Sequence, residues 1–289
     1  MHLKVPADRR ARDFSQSVRR PVAPMSAERR QKVTNPAEWL LPAAFIAVAS
    51  WVIWNGPRYI ISFGWASEAT QNLFTPAGAL DFAALALLPV IFIVGMFTVR
   101  CAPMEYGDWK GLDRVPLFIG RITMLLIALI VLVMLYEVVV RYVFERGTYW
   151  ANELSLWLAG FVFLFSGLYA MQQRSHIRIF LIYDTFPRWL QRVCDSISAL
   201  LIALFAFFMF YGGFKEAYDK FLRWETFGTA FDPPLPATLK PLILFVIGLV
   251  ALQAAWNLLM DWNKEPETHT PADEIDQDEI AEIRAHIKE

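Results

Sequence analysis

The chain contains six long apolar blocks that hold no Asp, Glu, Lys or Arg. The blocks are Trp39–Pro57, Phe82–Val99, Ile122–Tyr136, Leu154–Gln173, Ser196–Phe214 and Pro241–Met260. Most are 18 to 20 residues long, and a helix needs roughly 20 apolar residues to cross about 30 Å of hydrocarbon. Only 19% of the residues are charged, below the roughly 25% of soluble domains. The pattern predicts an all-α, multi-pass membrane protein with six transmembrane spans, and it excludes a soluble α/β enzyme, a disordered chain and a disulfide scaffold.

These blocks divide the chain into four segments. Residues 1–38 form a basic tail and residues 39–116 contain two spans with their loops. Residues 117–262 contain four further spans. Residues 263–289 form an acidic tail, in which Thr270 and Pro271 predict the start of a short helix because Thr is a favoured N-cap and Pro is favoured at the first helical position.

The third block is the shortest, yet the pattern predicts one helix over Leu117–Phe144. We expect Arg121 to extend its guanidinium toward the headgroups at one end of this helix. Glu137 and Arg141 fall near the other end, four residues apart with the acid first, which favours an intrahelical ion pair. Pairing lowers the cost of holding either charge near lipid.

The distribution of Lys and Arg predicts the orientation of the spans. If the N-terminus is cytoplasmic and all six blocks cross, nineteen of the 27 cations lie in inside segments and seven lie in outside segments. Short cytoplasmic loops carry the excess of Lys and Arg in membrane proteins. Both termini are therefore expected on the cytoplasmic side of the membrane.

Residues that would support catalysis or cofactor binding are scarce. None of the four histidines lies within an apolar block, whereas haem in a membrane bundle usually needs histidine ligands between helices. Cys101 and Cys194 have no CxxC spacing, and no GxxxxGK[ST] phosphate loop occurs. The sequence therefore predicts no enzyme, no cofactor, no metal site and no nucleic-acid partner.

A series of landmarks begins at Gly120 and ends near Trp262. They share a fixed order along the chain: EVVVRYVF at 137–144, WANEL at 150–154, glycines at 160 and 167, RSHIR at 174–178, Pro187, a proline-rich loop at 233–236 and a last span from Pro241. In this order the chain resembles the small membrane subunit, the DctQ-like family, of tripartite ATP-independent periplasmic (TRAP) transporters. The resemblance covers about half of the chain and assigns residues 117–262 to a four-span, small-permease-like domain. The two N-terminal spans lie outside it.

The resemblance implies a scaffold function in the bacterial inner membrane. Such a subunit pairs with a large TRAP permease subunit, which holds the substrate and sodium sites and moves as an elevator. A periplasmic substrate-binding protein delivers an organic acid to the pair. The implied partners of this chain are therefore the large subunit, the binding protein and membrane lipid, with sodium expected on the large subunit.

The landmark residues are candidates for structural or subunit-interface roles, and each has a simpler reading. Glu137 and Arg141 could form only a surface pair, Glu153 could be only an acid favoured at a helix start, and Gly160 and Gly167 could be tolerated glycines instead of sites of close helix approach. The remaining candidates are Trp150, His176 and Arg178.

Two other functional classes compete with the scaffold subunit. The first is a self-sufficient small channel or transporter, and the second is an integral membrane enzyme or electron carrier. Both would need polar or ligating groups inside the membrane, and the apolar blocks offer only scattered hydroxyls such as Ser50, Thr123 and Ser166.

Overall fold

A computed structural model describes residues 37–65, 74–100, 102, 105, 110–174, 183 and 186–263. Every regular element within these ranges is helical. The helices are α1 Ala37–Trp54, α2 Gly56–Ser62, α3 Ala79–Thr98, α4 Arg114–Val143 after a 3₁₀ turn at Gly111–Asp113, α5 Ala151–Gln172, α6 Arg188–Leu222 and α7 Leu235–Asp261. Five helices are long and apolar enough to cross a membrane, and α1 with α2 makes a sixth candidate if the bent pair is one span. The all-α, multi-pass membrane fold is thus confirmed. Residues 1–36 and 264–289 of the two predicted tails, including the short helix expected after Thr270, lie outside the described residues.

The first predicted span is broken near its end. The block extends to Pro57, but α1 ends at Trp54 and α2 begins at Gly56, with a bend of 61° between them. Pro57 lacks the N–H that would donate to the carbonyl oxygen of Ile53 if α1 continued without a break. The Asn55 side chain donates to the Trp51 carbonyl oxygen at 2.9 Å, which satisfies one acceptor at the end of α1.

The helix α4 lies between the two N-terminal spans and the rest of the bundle. It packs against α1, α3 and α5; α5 packs against α7, and α7 packs against α6. The buried side chains of Phe118, Ile122 and Leu126 form a core cluster that contacts both Phe45 of α1 and Phe165 of α5. The additional N-terminal spans are therefore built onto the first span of the predicted four-span domain.

Close approach of α3 and α4 depends on Gly95. A Cβ atom built on Gly95 would lie 2.2 Å from Cε2 of Phe118, a distance that side chains do not reach. The Phe118 ring also meets the rings of Phe45 and Phe92 edge-on, with centroids 6.1 and 5.5 Å apart, an arrangement that aromatic pairs favour.

The helix α6 is longer than its apolar block. The block ends at Phe214, but the helix continues through charged residues to Leu222. Its 35 residues correspond to a length of roughly 50 Å at 1.5 Å per residue, which exceeds the about 30 Å hydrocarbon core. No residue in the most apolar stretch of α6 is buried within the chain.

Candidate functional site

Arg121 lies in a buried polar cluster that joins the N-terminal spans to α4. Its side chain is 5% exposed. Its guanidinium donates to both carboxylate oxygens of Glu105 at 2.7 and 2.9 Å and to the Arg100 carbonyl oxygen at 3.1 Å. A Glu38 carboxylate oxygen at the start of α1 lies 3.5 Å from Arg121 Nε. The expectation that Arg121 extends to the headgroups is wrong, because the loop before α4 supplies a carboxylate within the protein.

Glu105 connects this cluster to α5. The Tyr169 hydroxyl donates to its carboxylate at 2.7 Å, and so does the backbone N–H of Ala102. Burial by itself would raise the pKa of Glu105, but the hydrogen bonds from Arg121, Ala102 and Tyr169 outweigh it and hold the pKa below its usual value. Glu105 is therefore stabilised as an anion that holds α4 and α5 together.

A second buried network lies at the same end of the bundle. Gln253 of α7 donates to the Asp113 carboxylate at 2.7 Å and to the Asn257 side-chain oxygen at 2.9 Å. Asn257 donates to the carbonyl oxygen of Met171 at 2.7 Å. Since a buried polar group without a partner costs free energy, this network fixes α7 against α5 and the start of α4.

Asp81, at the start of α3, is the centre of a cluster at the opposite end. The residue is 1% exposed. Its carboxylate accepts from the Trp51 indole N–H at 3.2 Å and the Gly78 backbone N–H at 2.8 Å, and it pairs with Arg58 at 3.0 Å. The Tyr59 hydroxyl donates to its carbonyl oxygen at 2.7 Å. These contacts hold the bent α1–α2 pair against α3.

The predicted pair of Glu137 and Arg141 forms, and it has a third member. Arg141 Nε donates to Glu137 Oε1 at 3.0 Å, and the Thr148 backbone N–H and hydroxyl both donate to Glu137 Oε2. Glu137 is 4% exposed, whereas the Arg141 side chain is 54% exposed. Glu137 therefore holds the α4–α5 loop as well as its helical neighbour.

Trp150 and Glu153 lie beside the same loop. The Trp150 ring stacks on Tyr136, with centroids 5.7 Å apart. The Thr229 hydroxyl donates to the Glu153 carboxylate at 2.5 Å, so this acid connects α5 to the α6–α7 loop. Both residues therefore join the start of α5 to other parts of the bundle.

The two candidate glycines differ. A Cβ on Gly160 would lie 2.4 Å from Leu239 Cδ1, so α5 and α7 approach closely there. Gly167 has no such neighbour within 4 Å. His176 and Arg178 lie outside the described residues, but Arg174 just before them pairs with Asp261 at 2.7 Å and connects the ends of α5 and α7.

The clusters described above join helices to one another. Among the described residues, no group of three or more His, Cys, Asp or Glu side chains is arranged to hold a metal ion. Sequence reasoning missed Asp81, Glu105 and Asp113, which lie outside the apolar blocks. Gln253 and Asn257 offered a signal, since amides inside an apolar span call for a polar partner.

Comparison with known proteins identifies the second half of the chain. Residues 130–263 match the family of tripartite ATP-independent periplasmic transporters, DctQ component. No curated protein and no solved structure matches the chain. The matched region begins within α4 and includes α5, α6 and α7, so α1, α2 and α3 precede it. The chain therefore carries a DctQ-like region, similar to the small permease component of TRAP transporters, with additional helices before it.

Proposed function

We propose that this chain is the scaffold subunit of a sodium-driven TRAP transporter that imports an organic acid. In this proposal a periplasmic binding protein delivers the acid, and a large elevator-type permease subunit holds the substrate and sodium sites. Both termini are cytoplasmic. The match of residues 130–263 to the DctQ component family supports the small-subunit role, and the count of Lys and Arg supports the orientation.

The apolar surface of α6 is the observation that carries the proposal. Its outward side chains include Phe205, Phe208 and Tyr211, which are 58%, 59% and 80% exposed. The charged clusters, in contrast, pair within the chain at the helix ends. A conduction path needs polar groups that replace the hydration of its cargo, whereas a scaffold needs a stable bundle with an apolar face for another membrane protein.

The decisive experiment compares transport by the chain alone and by the assembled system. The full chain reconstituted by itself should move no organic acid. Uptake should appear when the large subunit, the binding protein and an inward sodium gradient are added. Uptake by this chain alone, lost when Glu137 or Asp113 is replaced, would overturn the proposal and favour a self-sufficient transporter.

The position of the partner can be tested with matched variants. Tyr211→Ala removes an 80% exposed ring from α6, and Phe163→Ala removes a 78% exposed ring from α5. If the large subunit covers α6, Tyr211→Ala lowers its recovery with the chain from mild detergent, while Phe163→Ala leaves recovery unchanged. Equal recovery for both variants would contradict a docking face on α6.

A further inference from the structure

An apolar cavity lies where the N-terminal helices meet the DctQ region. Its volume is about 470 Å³, within the roughly 300 to 1,000 Å³ range of ligand sites. Six helices, α1, α2, α3, α5, α6 and α7, contribute to its wall, together with the turn after α6. Representative lining residues are Ile53, Leu85, Phe161, Trp224, Leu242 and Phe245.

The polar groups in the wall are already hydrogen-bonded within the chain. The Tyr59 hydroxyl donates to the Asp81 carbonyl oxygen at 2.7 Å. The Thr238 hydroxyl donates to the Pro234 carbonyl oxygen at 2.6 Å and accepts from the Trp157 indole N–H at 2.9 Å. Because a polar ligand would lose its hydration without gaining these partners, the cavity suits an apolar occupant.

The depth of the cavity corresponds to one leaflet of a bilayer. Phe161 and Phe245 each lie ten residues into their helices, α5 from Ala151 and α7 from Leu235. Ten residues of helix rise about 15 Å, half of the roughly 30 Å hydrocarbon core. The other end of the cavity is formed by Trp224 and Trp65, beside the helix ends.

The cavity is partly open along α7. Phe245 lines it and is 63% exposed, so the wall is incomplete along α7. Trp65, 58% exposed, lies at the shallow end, and tryptophan favours the headgroup level. Because Phe245 lies ten residues into the apolar helix α7, we expect an opening there to face hydrocarbon, which admits an acyl chain more readily than a water-soluble ligand.

We propose that this cavity binds one acyl chain of a phospholipid from the leaflet next to the α6–α7 loop. The chain would fill the space between α1, α3, α5 and α7 that side chains leave open. Bound lipid would thereby join the additional N-terminal helices to the DctQ region. The proposal is independent of sodium coupling, substrate and the large subunit, so it can fail or succeed separately from the proposed transport function.

Photocrosslinking in the full chain tests the proposal. In the full chain expressed without a large subunit, a photoreactive phenylalanine analogue is introduced at Phe245, which lines the cavity, or at Phe207 of α6, which is 62% exposed but lies outside it. Irradiation in membranes should attach phospholipid at both positions. After exchange into mild detergent, the phospholipid adduct should persist at Phe245 and disappear at Phe207, because lipid at an open helix surface exchanges freely.

A variant that fills the cavity supplies the second test. Leu85→Trp adds volume to the wall and should lower the detergent-resistant adduct at Phe245 several-fold. Leu87→Trp, on the same helix but outside the lining, should leave it unchanged. If Leu85→Trp fails to fold, the difference in detergent-resistant phospholipid adduct between Phe245 and Phe207 still tests the proposal. Loss of both adducts in detergent, or an adduct of Phe245 with another protein, would overturn the proposal.

Discussion

The indole ring of Trp224 occupies the space that a side chain on Gly56 would need. A Cβ atom built on Gly56 would lie 2.0 Å from Cη2 and 2.3 Å from Cζ2 of Trp224. Gly56 begins α2, and Trp224 follows α6, so this contact joins the N-terminal helices to the DctQ region. Trp224 has a φ of 46°, which is uncommon for a residue other than glycine.

Gly56→Ala should therefore destabilise the protein. Overpacking typically costs about 1 to 3 kcal/mol, and we expect a loss in that range by thermal unfolding in detergent. Gly212→Ala is the matched control, because a Cβ on Gly212 meets nothing within 4 Å, and alanine is the better helix former. Equal unfolding temperatures for Gly56→Ala and the parent would contradict a rigid contact with Trp224.

Arg121→Met should be among the most damaging substitutions of a charged residue. It leaves Glu105 and Glu38, with side chains 6% and 10% exposed, without their cation, and breaking a buried pair costs about 3 to 5 kcal/mol. Lys240→Met provides the control, since its pair with Glu216 is exposed and such pairs contribute less than about 1 kcal/mol. Similar losses of folding free energy in the two variants would disprove the structural role of the buried cluster.

Acid should weaken the Glu105 cluster. Because the pKa of Glu105 is lower in the folded chain than its usual value, its contribution to stability is complete above the unfolded pKa of roughly 4.3 and is lost as the pH falls through the lower folded pKa. The parent should therefore lose unfolding temperature more steeply below about pH 4.3 than Glu105→Gln. Other carboxylates titrate in both proteins, so only the difference between the two curves reports on Glu105. Parallel curves of unfolding temperature against pH would refute a stabilising role for the Glu105 carboxylate.

Glu137→Ala should cost more stability than Arg141→Ala. The first change removes the hydrogen bonds from both Arg141 and Thr148, whereas the second leaves the bonds from Thr148 in place. We expect a loss of about 1 to 3 kcal/mol for Glu137→Ala and a double variant that costs less than the sum, since contacting residues are coupled. Additive losses in the double-mutant cycle would mean that the ion pair contributes nothing.

Labelling of single cysteines tests the orientation. In a background with Cys101→Ser and Cys194→Ser, Ala230→Cys should react with a membrane-impermeant maleimide added to the periplasmic side. Lys110→Cys should react only after the membrane is opened. Both positions are exposed in the folded chain, so burial does not limit labelling. Reaction of Lys110→Cys in intact spheroplasts would reverse the predicted topology.

Hydropathy determined which parts of this chain form long helices. A span needs a run of apolar residues whose backbone groups pair within the helix, and this requirement is local in sequence. The prediction of one helix over Leu117–Phe144 is close to the observed α4, Arg114–Val143. The i, i+4 spacing likewise predicted the contact between Glu137 and Arg141.

Tertiary structure alone decided the partners of the remaining polar groups. Arg121 meets Glu105 of the preceding loop instead of the headgroups, and Gln253 meets Asp113, 140 residues away. Gly56 is a further example, because the ring of Trp224, in a distant turn, occupies the space that a side chain at position 56 would need. Helix formation depends on residues a few positions apart, so the sequence determines it. The pairing of buried charges and the close approach of helices depend on which helix faces meet, and only the packed bundle determines those contacts.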